Sequence, residues 1–91
     1  MSSNKTILFI ALCLSLIIAC SEPGTEYVES GFSHQELGEY QNAIEAYTKA
    51  IELNPDYAIG YYNRGNSYQK LGEHVKANAD HVKAKELQLK E

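Results

Sequence analysis

Laid over itself with an offset of thirty-four residues, this chain of 91 places Gly24–Tyr57 on Ala58–Glu91, and twelve of the thirty-four aligned positions are identical. The shared positions include Tyr27/Tyr61, Gly31/Gly65, Gln35/Gln69, Gly38/Gly72, Ala43/Ala77 and Ala50/Ala84. Unrelated segments of ordinary composition would share roughly two. A fixed period of this length means that one supersecondary unit has been written twice, each copy too small to bury its own apolar face. The fold must therefore be a stack of two similar units.

Punctuation turns the unit into helices. Thr25 to Leu37 carries apolar residues at helical spacing and no proline, and Gly38 ends it, as glycine does just past a helix. Gln41 to Leu53 reads as a second helix, with Ala43, Ile44, Tyr47, Ala50 and Ile51 on one broad face. Asn54-Pro55-Asp56 stops it, and the Asp56 carboxylate is expected to cap the next helix. Ile59 to Leu71 is the third helix, Gly72 the break, and Val75 to about Leu89 the fourth. The expectation is an all-α chain of two antiparallel helix-turn-helix hairpins. Gly31 and Gly65 lie inside helices, where glycine costs about 1 kcal/mol relative to alanine. With Ala43 and Ala77 they are expected to let paired helices approach closely.

The spacing Tyr27-x2-Ser30-Gly31-x2-His34, followed by Ala43-x3-Tyr47, Ala50 and Pro55, resembles a tetratricopeptide repeat. The second copy, Tyr61-x2-Arg64-Gly65-x2-Tyr68 and then Ala77-x3-His81 and Ala84, resembles it more weakly. His74 and His81 replace aromatics there, Leu89 stands at the position of Pro55, and Ser30 and Arg64 replace the usual leucine. The resemblance implies a fragment of an α-solenoid, with repeat 1 over 24–57 and repeat 2 over 58–91. It also implies a concave, partner-binding face lined by the first helix of each hairpin. Carried onto this chain, that face is lined by Thr25, Val28, Phe32, Gln35 and Glu36, then Ile59, Tyr62, Asn66, Gln69 and Lys70, with Val28, Phe32, Gln35, Ile59, Tyr62, Asn66, Gln69 and Lys70 as the expected partner contacts. Helical spacing independently puts each set on one stripe. A partner protein, a second copy of the chain and a lipid-proximal surface remain open as occupants. Some members clamp a partner's C-terminal carboxylate with lysine and asparagine on this face; Asn63 fits, but Val28 and Phe32 stand where those residues are needed, and no clamp is expected.

The segment before the repeats is of a different kind. Lys5 precedes a thirteen-residue apolar run, Ile7 to Ala19, well short of the roughly twenty residues that span a bilayer. A charged start, a short apolar middle and a small residue at the end make a secretory signal. Ile17-Ile18-Ala19-Cys20 resembles the lipobox of bacterial lipoproteins, with isoleucine at Ile17 where leucine is commoner. That resemblance implies a signal peptide over 1–19, a lipidated Cys20 opening a short linker over 20–24, and attachment to a membrane of the cell envelope. Ser21 after the cysteine implies the outer membrane in a Gram-negative cell; in a Gram-positive cell the same signal leaves the protein on the outer face of its one membrane. Cysteine usage agrees: once the signal is removed Cys20 is the remaining thiol, so no intramolecular disulfide forms.

Charge excludes some partners. The part after Cys20 holds twelve acidic and seven basic residues, a balance of 7 − 12 = −5. Its first half is acidic and its second weakly basic, with no dense basic patch to mark a nucleic-acid partner. The asymmetry fits either two solvated faces or contact between copies. There is no nucleophile motif, no phosphate loop and no carboxylate pair at a spacing that points to catalysis. His74 and His81 stand seven residues apart, about 10.5 Å along one helix, too far to share a metal. Neither an enzyme, a cofactor nor a metal is expected. The expected role is a membrane-anchored adaptor or assembly factor, the alternatives being a self-associating structural subunit of the envelope and a pilotin-like helper in secretion or pilus assembly. Arrays of this kind usually need three units, so a homodimer, or ordering by a partner, is expected.

Overall fold

The computed structural model describes residues 23–90. They form four helices: α1 (Thr25–Glu36), α2 (Tyr40–Leu53), α3 (Ala58–Lys70) and α4 (His74–Leu89). The α1–α2 and α3–α4 pairs are the two antiparallel hairpins, and α2 packs on α3 to join them. The all-α, double-hairpin expectation is met. Cys20 and the apolar run before it lie outside the described residues. Among the described residues no helix is long and apolar enough to cross a membrane.

Both hairpins turn by the same device. Gly38 and Gly72 adopt φ of 77° and 80°, a left-handed conformation that an L-residue with a Cβ resists. The Gly38 amide donates to the Gln35 carbonyl and the Glu39 amide to the His34 carbonyl. The Gly72 and Glu73 amides repeat the pattern on Gln69 and Tyr68. These paired bonds satisfy carbonyls that the helix end leaves open. His34 Nδ1 adds a 2.7 Å bond to Glu39 Oε1 across the first turn.

The connection between hairpins works differently from expectation. Asp56 does not cap α3; Tyr57 is the residue at that boundary, and no side chain caps it. Asn54 organises the loop instead. Its Oδ1 accepts from the Asp56 amide at 3.3 Å and its carbonyl accepts from the Tyr57 amide. The short Asn54 side chain thus folds onto its own loop, and the Asp56 carboxylate stays exposed.

The first hairpin has an apolar core of Val28, Ala43, Tyr47 and Ala50, with Tyr27 and Tyr57 packed at its edge. Tyr47 is fully buried, and α1 crosses it at Gly31. A Cβ on Gly31 would come within 2.7 Å of Tyr47 Cδ1, and nearer still to Cε1. The second hairpin repeats this approach with a different ring, since a Cβ on Gly65 would stand 2.7 Å from His81 Cδ2.

Beyond that contact the second hairpin is more polar. Asn63, Ser67 and Asp80 are buried beside Ala77, Ala84 and Leu87. Asp80 accepts two bonds from Arg64, from Nε and Nη2, each 2.8 Å. Arg64 Nη1 also donates to Thr48 Oγ1 on α2 at 3.2 Å, and the guanidinium lies between the rings of Tyr61 and Tyr68, 5.7 and 5.8 Å from their centroids. One side chain thus ties α2, α3 and α4 together. Its hydrogen bonds to Asp80 raise its already high pKa, against the opposing effect of burial.

Two outcomes are expected in denaturant melts. Gly31→Ala gains about 1 kcal/mol of helix propensity but forces a methyl into Tyr47, and overpacking costs about 1–3 kcal/mol, so the variant melts at lower denaturant than the wild type. Arg64→Leu, which strands the Asp80 carboxylate, loses about 3–5 kcal/mol, whereas Arg64→Leu with Asp80→Ala recovers to within about 1 kcal/mol of the parent or exceeds it.

Candidate functional site

Helices α1 and α3 lie side by side as the first members of their hairpins, and they meet polar to polar. Ser67 Oγ on α3 makes a long 3.5 Å bond to Gln35 Oε1 on α1. The same oxygen accepts a 2.7 Å bond from the Tyr47 hydroxyl. Gln35 is therefore held by α2 from below and α3 from the side. The shallow groove that begins there, about 610 Å3 in volume, is lined by Gln35, Asn66, Gln69, Lys70 and His74.

Four of the eight side chains expected on the binding face, Gln35, Asn66, Gln69 and Lys70, are brought together in this groove. Phe32, Ile59 and Tyr62 are exposed, each on α1 or α3 but outside the groove's own walls. Phe32 sets its ring edge-on to Tyr47, centroids 6.2 Å apart. Val28 is a correction: it is only 3% exposed and belongs to the core of the first hairpin, so no partner reaches it. At the equivalent place in the second hairpin Tyr62 stays out and lies against His81, centroids 5.4 Å apart. The small valine drops into the space between α1 and α2; the longer tyrosine, with His81 beneath it, does not. Asn63 turns inward as well, donating from Nδ2 to the Ile59 carbonyl of its own helix at 2.9 Å, which leaves it no part in gripping a ligand.

Two histidines enter where helical spacing on α1 and α3 alone would not place them. His74, the first residue of α4, stands at the groove's end because the tight glycine turn carries it back beside Lys70. His81 Nε2 donates to Asn66 Oδ1 at 3.0 Å, which fixes the Asn66 amide that the groove presents. The 34-residue register held a signal for His81, since it aligns with Tyr47, and each occupies the space above a helical glycine. For His74 the signal was its alignment with Tyr40, the residue that opens α2.

Chemically the groove offers three carboxamides, one ammonium and one imidazole. Carboxamides pair with the N–H and C=O groups of an extended chain, and an ammonium favours a carboxylate or carbonyl oxygen. Among the described residues no group of three or more histidine, cysteine or acidic side chains is placed to hold a metal.

Comparison with known sequences bears on this arrangement. Residues 34–72 match a family profile described as a TPR repeat. The matched stretch runs from the end of α1 through α2 and α3 to the glycine turn before α4, so it spans the joint between the two hairpins. A stretch of 36 residues is 47% identical to human tetratricopeptide repeat protein 6, covering 40% of this chain and 7% of the human protein. A tetratricopeptide-type repeat in the middle of the chain is thus supported by sequence as well as by shape.

The hydroxyl that anchors the groove has a pH signature. Burial pushes Tyr47 up from 10.0 to about 12, so the folded state holds this proton more tightly than the unfolded chain does. Its contribution to stability is complete below about pH 10 and is lost as pH rises from 10 through 12. Tyr47→Phe removes that component, and its free energy of unfolding should fall less steeply across this window than the parent's.

Proposed function

We propose, with a tetratricopeptide-type repeat as the premise, that this chain is a protein-binding module whose site is the α1–α3 groove. Such repeats suggest interaction with proteins generally. The observation that carries the reading is the groove itself: Gln35, Asn66, Gln69, Lys70 and His74 converge on one shallow channel, and exposed Phe32, Ile59 and Tyr62 stand on the same two helices. Carboxamides in a row suit the backbone of an extended segment, Lys70 suits an acidic side chain on it, and the exposed rings supply apolar contact. The module acts by holding its partner rather than by transforming it.

The lipobox-like Ile17-Ile18-Ala19-Cys20 supports a finer proposal, that the module is a lipoprotein of a bacterial envelope attached through acyl chains on Cys20. Two or more chains hold a protein stably to a bilayer. The five-residue linker over 20–24 spans at most about 17 Å, which keeps the start of α1 close to the membrane. In that setting the module serves as an adaptor or assembly factor.

Each half of the proposal has its own test. Crosslinking and pull-down from membranes identifies the partner, after which binding is measured to Gln69→Ala and Lys70→Ala. Both residues are exposed and neither ties helices together, so affinity should drop roughly five- to hundredfold with helix content unchanged, as expected for 1–3 kcal/mol of lost bonding. Undiminished binding by both variants rejects the groove. For the anchor, Cys20→Ser should leave a heavier, uncut species that lacks lipid; an unaltered mature mass rejects lipidation.

A further inference from the structure

Helix α4 buries Ala77, Asp80, Ala84 and Leu87 against the rest of the hairpin. Its opposite face carries Val75, Val82 and Leu89, which are 86%, 51% and 79% exposed. These three recur every seven residues, so they form one stripe that drifts only about 20° per step, with exposed Ala79 beside it, four residues after Val75 and three before Val82. Large apolar side chains aligned along a helix that the described residues leave uncovered mark an interaction surface.

Another copy stacked head to tail is a poor occupant. Inside the chain, α3 seats on α2 through Gly60, where an added Cβ would already lie 3.1 Å from Ile51 Cγ1. The same operation between copies would seat α1 on α4, with Glu26 in the place of Gly60 and Lys85 in that of Ile51. Two long charged side chains do not fit where one methylene is tight. The α1 surface that would meet α4 is moreover Glu26, Glu29, Ser30 and Ser33, all exposed and polar.

The stripe is instead complementary to itself. If two α4 helices pair antiparallel about a two-fold axis at Val82, Val82 meets Val82 of the second copy and Val75 meets Leu89. The flanking charges then avoid their own kind: the two Glu86 carboxylates are offset by about 12 Å along the axis and the two Lys85 ammoniums by about 9 Å. Parallel pairing would set each directly opposite its equivalent. We infer that a second copy of this chain covers the outer face of α4, forming an antiparallel two-fold dimer centred on Val82. A closed two-fold pair is the commonest form of homo-oligomer. Three large side chains per copy make a small interface, below the roughly 1,200 Å2 that stable complexes bury, so the dimer forms at high micromolar concentration and dissociates on dilution.

The test uses the full chain with Cys13→Ser and Cys20→Ser, so that introduced thiols are unique. Val82→Cys should form a disulfide-linked dimer under mild oxidation at ~100 μM, at least tenfold faster than Lys76→Cys, which is exposed on the same helix but off the stripe. In sedimentation the parent should show a monomer–dimer equilibrium and Val82→Glu only monomer, with equal helix content by circular dichroism. Equal crosslinking from both positions overturns the inference. So does a Val82→Glu chain as associated as its parent, which would put the contact in residues 7–19 or on the groove, and so does a parent that stays monomeric because something else covers α4.

Discussion

The contact between Tyr47 and Gly31 governs this molecule. A tyrosine ring set against a helix with no side chain at the point of crossing brings α1 and α2 close enough to exclude water from Val28, Ala43 and Ala50. The same ring places its hydroxyl on Gln35, and Gln35 in turn meets α3 through Ser67. Core and groove therefore share one side chain. Packing below sets the position of the first polar group above, so the site is built on rigid helices rather than on a loop.

The second hairpin reaches the same shape by other means. Where the first relies on tyrosine over glycine, the second puts His81 over Gly65 and adds the Arg64–Asp80 pair, its carboxylate buried and its guanidinium half-buried. An apolar pair of similar volume would hold as well or better. What the ion pair adds is direction: the planar guanidinium fixes α4 against α3 and reaches Thr48 on α2, which sets how one hairpin sits on the other. His81 similarly serves two ends, filling space and steadying Asn66 in the groove. Two of the second copy's departures from the repeat pattern thus bear on the candidate site: His74 lines the groove and His81 holds Asn66.

Much of this was legible beforehand because it depends on local or strictly periodic causes. Gly38 and Gly72 end helices through their own backbone freedom, and they do so at the expected places. The helix ends Glu36 and Lys70, and the starts Tyr40 and His74, recur thirty-four residues apart, as the alignment implied. The resemblance to the repeat implied one face shared by Gln35, Asn66, Gln69 and Lys70, helical spacing set each helix's members on one stripe, and one groove holds them all. Periodicity could not say which apolar residue of a stripe turns in. Val28 and Tyr62 align with each other, yet one is core and the other surface, because that choice depends on the ring lying opposite. Asp56 failed as a cap because the helix begins one residue later than a cap at Asp56 requires, with Tyr57 at the boundary, a shift of register that composition does not rank.

By itself, then, the amino-acid order determined the number of helices, their pairing into two similar hairpins and the faces they share, since backbone freedom at glycine and a period of 3.6 residues act within a few positions of chain. Tertiary structure alone decided the partnership of Arg64 with Asp80, the burial of Val28, the arrival of His74 at the groove, the bond from His81 to Asn66 and the exposure of the α4 stripe. Each of these depends on distances between segments well separated in the chain or on what lies across a helix interface, and such distances exist only once the hairpins have closed.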